Sequence, residues 1–62
     1  MRPLLDVREV ARLLNCSVGS VYRGVLLKKI PALRVPGAGV RFVEEDLIKW
    51  LEEQRHKAEG RP

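Results

Sequence analysis

The segment DVREVARLLNCSVGSVYR, residues 6–23, decides the fold of this chain. It opens with a helix start signal, because Asp6 is a good N-cap and Glu9, three residues later, completes a capping box. The helix that follows is predicted to turn one apolar side toward the core. That side is formed by Val10, Ala11 and Leu14.

A tight turn and a second short helix follow the first. Asn15 is, after glycine, the residue that best tolerates a left-handed backbone, and Ser17 is predicted to cap the next helix. The residues predicted to point inward are Val21, Val25 and Leu26, and those predicted to point outward are Ser20, Arg23 and Gly24. Two short helices joined by such a turn form a helix-turn-helix, which places its second helix in a DNA major groove. This pattern indicates a nucleic-acid binder.

The length and the charge of the chain favour a small binding domain. One domain is predicted over residues 1–62, with an ordered core at about residues 4–56 and a frayed tail at residues 57–62. The net charge is +4, and residues 1–43 carry eight basic and two acidic side chains, whereas residues 44–62 carry four basic and six acidic ones. Joined to the helix-turn-helix pattern, this asymmetry favours a face that meets a polyanion over charge that serves solubility alone.

Other classes of function lack the residue patterns that they need. Cys16 is the single cysteine, so no internal disulfide can form, and we expect a small buried thiol between the helices. There is no Ser/His/Asp set, no glycine-rich phosphate loop and no metal-ligand cluster, and the acidic residues 44–46 are typical of a helix start. We therefore predict no enzyme, no cofactor and no metal site. No apolar run approaches the about 20 residues of a membrane span, and a cytoplasmic protein is expected.

Two β-prone runs follow the second helix. The runs ALRV (residues 32–35) and VRFV (residues 40–43) flank a Pro/Gly turn at residues 36–39, which predicts a β-hairpin. Alternation along each strand predicts that Arg34 and Arg41 point outward. Beside a helix-turn-helix, such a hairpin is a wing whose arginines are favoured against the DNA backbone or in the minor groove. The alternative is an ordinary solvated hairpin.

The last predicted element is a helix over EEDLIKWLEEQRHK, residues 44–57. Its acidic first turn suits the helix dipole. Leu47, Trp50, Leu51 and Gln54 follow helical spacing. Trp50 is therefore predicted to be a core anchor, and stacking on a base is the weaker alternative.

In this order, the segments resemble a known family. LLDVREVARLLNCSVGSVYRGV, IPALRV and VRFVEEDLIKWLEE, together about residues 4–53, are similar to the excisionase-like proteins, which share a MerR-type winged-helix DNA-binding domain. The resemblance implies a mainly α fold with a small β-hairpin: two helices, a hairpin wing and a closing helix. It also implies that the second helix contacts base edges in the major groove.

Carried over by position, the resemblance nominates residues for contact with DNA. On the second helix these are Ser17, Val18, Gly19, Ser20, Tyr22 and Arg23, and Lys28, Lys29, Arg34 and Arg41 complete the predicted DNA-binding surface. Arg23 is the best candidate for a bidentate contact to guanine. Lys28 and Lys29 are expected to touch the backbone, where they position the protein.

Two departures from the family pattern bear on affinity. Members often carry Arg after the capping serine, where this chain has Val18, and many carry a basic residue at the wing tip, where residues 36–39 are uncharged. Both departures predict modest intrinsic affinity, which fits cooperative binding to adjacent sites or reliance on a partner.

The leading functional hypothesis is an excisionase, or recombination directionality factor, of a phage or mobile element. Such a protein binds repeated sites in double-stranded DNA beside an attachment site, bends the DNA, self-associates on it and cooperates with an integrase. Three alternatives stay open: a small MerR-like transcription regulator, the DNA-binding head of a phage terminase small subunit, and a protein-interaction module without DNA binding.

Overall fold

The computed structural model describes residues 3–59 as three helices and a two-stranded antiparallel hairpin. The elements are α1 (Val7–Leu14), α2 (Val18–Leu26), β1 (Leu33–Val35), β2 (Gly39–Arg41) and α3 (Glu44–Glu59). This architecture confirms the predicted mainly α fold with a hairpin wing. Helix α3 includes the first three residues of the segment expected to be frayed, and residues 60–62 lie outside the described residues.

Helix α1 begins and ends at the residues that its local signals predict. Asp6 Oδ1 accepts a hydrogen bond from the amide of Glu9 at 2.8 Å, and Glu9 Oε1 accepts one from the amide of Asp6 at 3.0 Å. Asn15 has a left-handed backbone with φ 56°, and the amide of Cys16 donates back to the carbonyl of Ala11 at 2.9 Å. These bonds satisfy backbone groups that a helix terminus otherwise leaves without partners.

A small apolar core holds the elements together. The buried side chains are Val10, Ala11, Val21, Phe42 and Leu47. The partly buried side chains packed against them are Leu5, Val7, Leu14, Val25, Ile30, Ala32, Val40 and Trp50. Trp50 thus packs on the core as predicted, whereas Leu51, which the helical spacing placed on the same face, is 40% exposed.

Phe42 joins the N-terminal segment to the end of the hairpin. It forms an isolated antiparallel bridge with Leu5, in which each amide donates to the other's carbonyl at 2.9 Å. The Phe42 side chain is also fully buried and has the largest volume of the fully buried side chains. One residue therefore ties the backbone of the N-terminal segment to the core.

Three predictions of burial near the helix ends were wrong. Cys16 is exposed, because Leu14 packs against the core and the left-handed turn at Asn15 directs the chain away from it. Leu26 is 77% exposed, because the inward side of the short helix α2 is filled by residues 21 and 25, one turn apart. Gly24, predicted to point outward, is half-buried.

Gly24 is half-buried because Ile30 packs directly over it. A Cβ atom at Gly24 would lie 2.5 Å from Ile30 Cδ1 and 2.8 Å from Ile30 Cγ1. The absence of a side chain therefore allows the segment after α2 to fold back onto the helix.

We expect Gly24→Ala to lower the free energy of unfolding, by about 1 kcal/mol net. Overpacking against Ile30 costs about 1–3 kcal/mol, which exceeds the about 1 kcal/mol that alanine gains in helix propensity. Urea denaturation followed by circular dichroism measures the change. In an Ile30→Val background, which removes the closest carbon, the cost should shrink, and a stabilised Gly24→Ala protein would contradict the packing.

Candidate nucleic-acid interface

The first turn of α2 is built around a pair of serines. Ser17 Oγ accepts a hydrogen bond from the amide of Ser20 at 3.1 Å and lies 2.9 Å from Ser20 Oγ, which confirms Ser17 as the N-cap. Within residues 3–59, the amides of Val18 and Gly19 donate to no protein acceptor. Unsatisfied amides at a helix N-terminus, together with the positive end of the helix dipole, suit contact with an anion such as phosphate.

The residues that the sequence nominated on α2 and at its N-cap lie on the exposed surface of the protein. All six of them are exposed: Ser17, Val18, Gly19, Ser20, Tyr22 and Arg23. Tyr22 is 49% exposed, so half of its side chain is covered by the protein. Arg23 is the single long cationic side chain among these six residues. Contact of these residues with DNA stays a prediction.

Helix α2 is followed by a left-handed residue that is neither glycine nor asparagine. Lys28 has φ 57°, its amide donates to the carbonyl of Val25 at 3.0 Å, and the amide of Lys29 donates to the carbonyl of Gly24 at 2.8 Å. This is the hydrogen-bond pattern of a Schellman motif. Asn15 closes α1 in the same way, but a lysine in this conformation lacks the local tolerance of asparagine.

The hairpin turn is one residue shorter than predicted. The amide of Ala38 donates to the carbonyl of Val35 at 2.9 Å, and Gly37 has φ 80° after Pro36, which defines a type II turn. Gly39, predicted to lie in the turn, belongs to β2 and pairs with Val35. The uncharged tip therefore consists of residues 36–38.

The strand register places the two hairpin arginines on opposite faces. Arg34 lies opposite Val40 and Arg41 lies opposite Leu33, and residues that lie opposite each other share a face. Arg34 is exposed as predicted. Arg41 is half-buried, and its Nη1 donates to the carbonyl of Val40 at 2.7 Å, which corrects the prediction that it points freely outward. Alternation within each strand was right, but alternation alone does not determine which faces coincide.

A cleft of about 530 Å³ lies between the end of α2 and the hairpin. Its cationic side chains are Lys28 and Arg34, and the rest of its lining is apolar, including Val25, Ile30 and Val40. Residues 29 and 41 are not part of the lining. Sequence reasoning nominated Lys28 and Arg34 separately, and no signal in the sequence indicated that they meet at one cleft.

The basic side chains of α2, the segment after it and the hairpin lie in a stretch of sequence without acidic residues. Residues 10–43 contain six Lys or Arg side chains and no Asp or Glu. Over the described part of the chain, the elements that carry acidic side chains are α1, its N-cap and α3. This segregation gives α2 and the hairpin a positive potential that attracts polyanions.

Residues 3–59 contain neither a candidate metal centre nor a candidate membrane span. No group of three His, Cys, Asp or Glu side chains is arranged to hold a metal ion. No helix is both long enough and apolar enough to cross a membrane.

Together, the exposed second helix and the adjoining hairpin define a winged helix-turn-helix protein. The helix-turn-helix domain family matches residues 4–55, which is most of the chain, and the chain belongs to this family. Membership supports binding to double-stranded DNA. No curated protein and no solved structure matches the chain significantly.

Proposed function

We propose that this protein binds double-stranded DNA sequence-specifically through α2 and acts as an architectural factor of the excisionase kind. The observation that carries the proposal is the surface of α2 from Ser17 to Arg23, which is exposed at each nominated position and lies in a region without acidic residues. A negatively charged major groove meets no acidic side chain on α2 itself.

Each part of α2 has a role in this proposal. The free amides of Val18 and Gly19 hold a phosphate at the start of the helix. Arg23 donates to a guanine, while Ser17 and Ser20 bond each other and keep the remaining capacity of their hydroxyls for DNA.

The architectural role follows from how little of α2 can contact bases. Arg23 is one long donor among short side chains, so α2 can distinguish few base pairs by direct contact. A single protomer is therefore expected to bind its site with modest affinity. Binding to adjacent sites, DNA bending and contact with an integrase would supply the missing free energy, as the resemblance to excisionases implies.

A gel-shift titration tests this function. The probe is DNA from the flanks of the gene's own locus, with random duplex as competitor and circularly permuted fragments to detect bending. Stepwise, cooperative shifts with bending at an attachment site support the excisionase role. A shift confined to a promoter supports a transcription regulator instead and rejects the excision role.

A protein-interaction module is the second candidate. Two exposed leucines that line the cleft favour it: Leu26 and Leu33 are 77% and 46% exposed. Exposed apolar side chains that cluster on a small protein are typical of a binding surface. This candidate predicts no salt-dependent binding to any duplex, so the same titration at several salt concentrations separates the two functions.

We expect Arg23→Ala to weaken binding to a selected duplex by about 1–3 kcal/mol and to reduce the preference for that duplex over random DNA. The physical reason is the loss of a bidentate contact to a base edge. Arg23→Lys is the matched control, because it keeps the charge but loses the planar pair of donors. If selected and random duplexes weaken equally in Arg23→Ala, Arg23 touches only phosphate.

A further inference from the structure

Lys28 and Arg34 reach one cleft from two different elements. Lys28 follows the end of α2 and Arg34 lies in β1, yet both line the cleft between them. Both side chains are exposed, and neither forms an ion pair within residues 3–59. Two unpaired cations at one cleft attract an anion more strongly than either does alone.

The backbone at Lys28 suggests that this position is held for its side chain. Its φ of 57° is a conformation in which glycine has no steric cost and lysine does. A chain selected only for folding would favour glycine here, as most Schellman motifs do. Residues kept in such conformations concentrate at functional sites, where the surrounding structure holds them in place.

The hairpin supplies one arginine to this cleft. Arg34 shares a face with Val40, which also lines the cleft. Arg41 lies on the opposite face, and its guanidinium donates to the carbonyl of Val40 at 2.7 Å.

We propose that Lys28 and Arg34 together bind a single phosphate of the DNA backbone at this cleft, and that Arg41 takes no part in that contact. The proposal rests on the DNA-binding function proposed above. Helix α2 has 9 residues. It therefore spans about 13 Å, which is close to the about 12 Å width of the major groove. When its first turn lies at a phosphate on one side of the groove, the residues just beyond its end lie near the phosphates on the other side.

The cleft suits the DNA backbone better than a folded protein partner. Among the described residues, the cleft lining includes no acidic side chain, so a phosphate meets attraction without a competing carboxylate in the lining. The apolar lining from Val25, Ile30 and Val40 can cover the carbon face of a deoxyribose next to that phosphate.

The test uses a duplex that the protein itself selects from a random-sequence library. Each phosphate is replaced singly by an uncharged methylphosphonate, and affinity is measured for the wild type, Lys28→Gly, Arg34→Ala and Arg41→Ala. We expect a single phosphate near the end of α2 whose neutralisation weakens the wild type about tenfold. Neutralising it should have little further effect in Lys28→Gly or in Arg34→Ala, whereas Arg41→Ala should keep the wild-type sensitivity.

A stability measurement excludes misfolding as the cause. Lys28→Gly relieves the left-handed lysine, so its urea midpoint should rise while its DNA affinity falls. Lys49→Ala, which removes an exposed cation on α3, is the control and should leave both the affinity and the phosphate pattern unchanged.

Two results would overturn the assignment without touching the proposed function. In the first, the wild type binds DNA with salt dependence, but the two variants do not share one phosphate. Either Lys28→Gly and Arg34→Ala lose their sensitivity to neutralisation at different phosphates, or they bind DNA with unchanged affinity. In the second, Arg41→Ala loses sensitivity at the same phosphate. A wild type that binds no duplex in a salt-dependent way rejects both this assignment and the DNA-binding function.

Discussion

Phe42→Ala is expected to unfold the protein at 25 °C. Phe42 is fully buried, and removing most of a buried phenylalanine costs about 3–5 kcal/mol. A single core in a domain of this size supplies about 3–5 kcal/mol of stability, so the substitution consumes all or nearly all of it. Circular dichroism at 222 nm should show loss of helix, and the cooperative thermal transition should disappear.

Phe42 also holds, through its buried side chain, the end of the hairpin and the N-terminal segment against the core. Its backbone pairs with Leu5, and this pairing fixes the N-terminal segment beside the capping box of α1. Phe42→Leu, which keeps most of the apolar volume, should fold with reduced stability. Leu33→Ala, at a 46% exposed side chain of the neighbouring strand, should change the melting temperature little. A Phe42→Ala protein that melts within a few degrees of the wild type would show that the core does not depend on this ring.

Local signals predicted the helix-turn-helix correctly because their hydrogen bonds span only a few residues. The capping box joins Asp6 to Glu9, and the second cap joins Ser17 to Ser20. Each bond depends on residue type and on a spacing of three, both of which are visible in the sequence. The left-handed Asn15 follows from the same kind of information.

The features that the sequence did not reveal depend on contacts between distant segments. The register that separates Arg34 from Arg41 depends on the exact turn, in which Gly39 belongs to the strand. The bridge from Leu5 to Phe42 joins the segment before α1 to the residue after β2. Nothing in the sequence around either residue predicts that the two pair. Tertiary contacts of this kind override intrinsic propensity and are the part of a fold that a single sequence specifies least directly.

The conformation of Lys28 could be predicted neither from a local signal nor from contacts visible in the sequence. The left-handed residue that closes a helix is usually glycine or asparagine, so a lysine at this position does not predict a helix end. Its helix is closed there because Ile30 must pack over Gly24, which requires the chain to reverse within a few residues. The candidate site was therefore predicted residue by residue, while its arrangement around a cleft depended on the fold.

DNA affinity is expected to fall about tenfold between 50 and 200 mM salt. The four exposed cations of α2, its C-terminal end and β1 are Arg23, Lys28, Lys29 and Arg34. Arg23 faces a base in the proposed complex, and Lys28 and Arg34 share one phosphate, so about two phosphates are neutralised. The logarithm of the association constant then falls with the logarithm of the salt concentration with a slope of about −1.8. Fluorescence anisotropy with a labelled duplex at several salt concentrations measures this slope directly.

Single substitutions distinguish DNA binding through this surface from an effect of the overall net charge of the protein. Lys29→Ala should reduce the slope by about 1 if Lys29 neutralises one phosphate. Lys49→Ala removes the same charge from α3 and should leave the slope unchanged, because α3 begins with three acidic residues and lies outside the region without acidic side chains. Equal reductions in the two variants would mean that DNA responds to the net charge of +4 rather than to a defined face. A slope near zero in the wild type would instead assign the basic surface to a protein partner, since counterion release accompanies every phosphate contact.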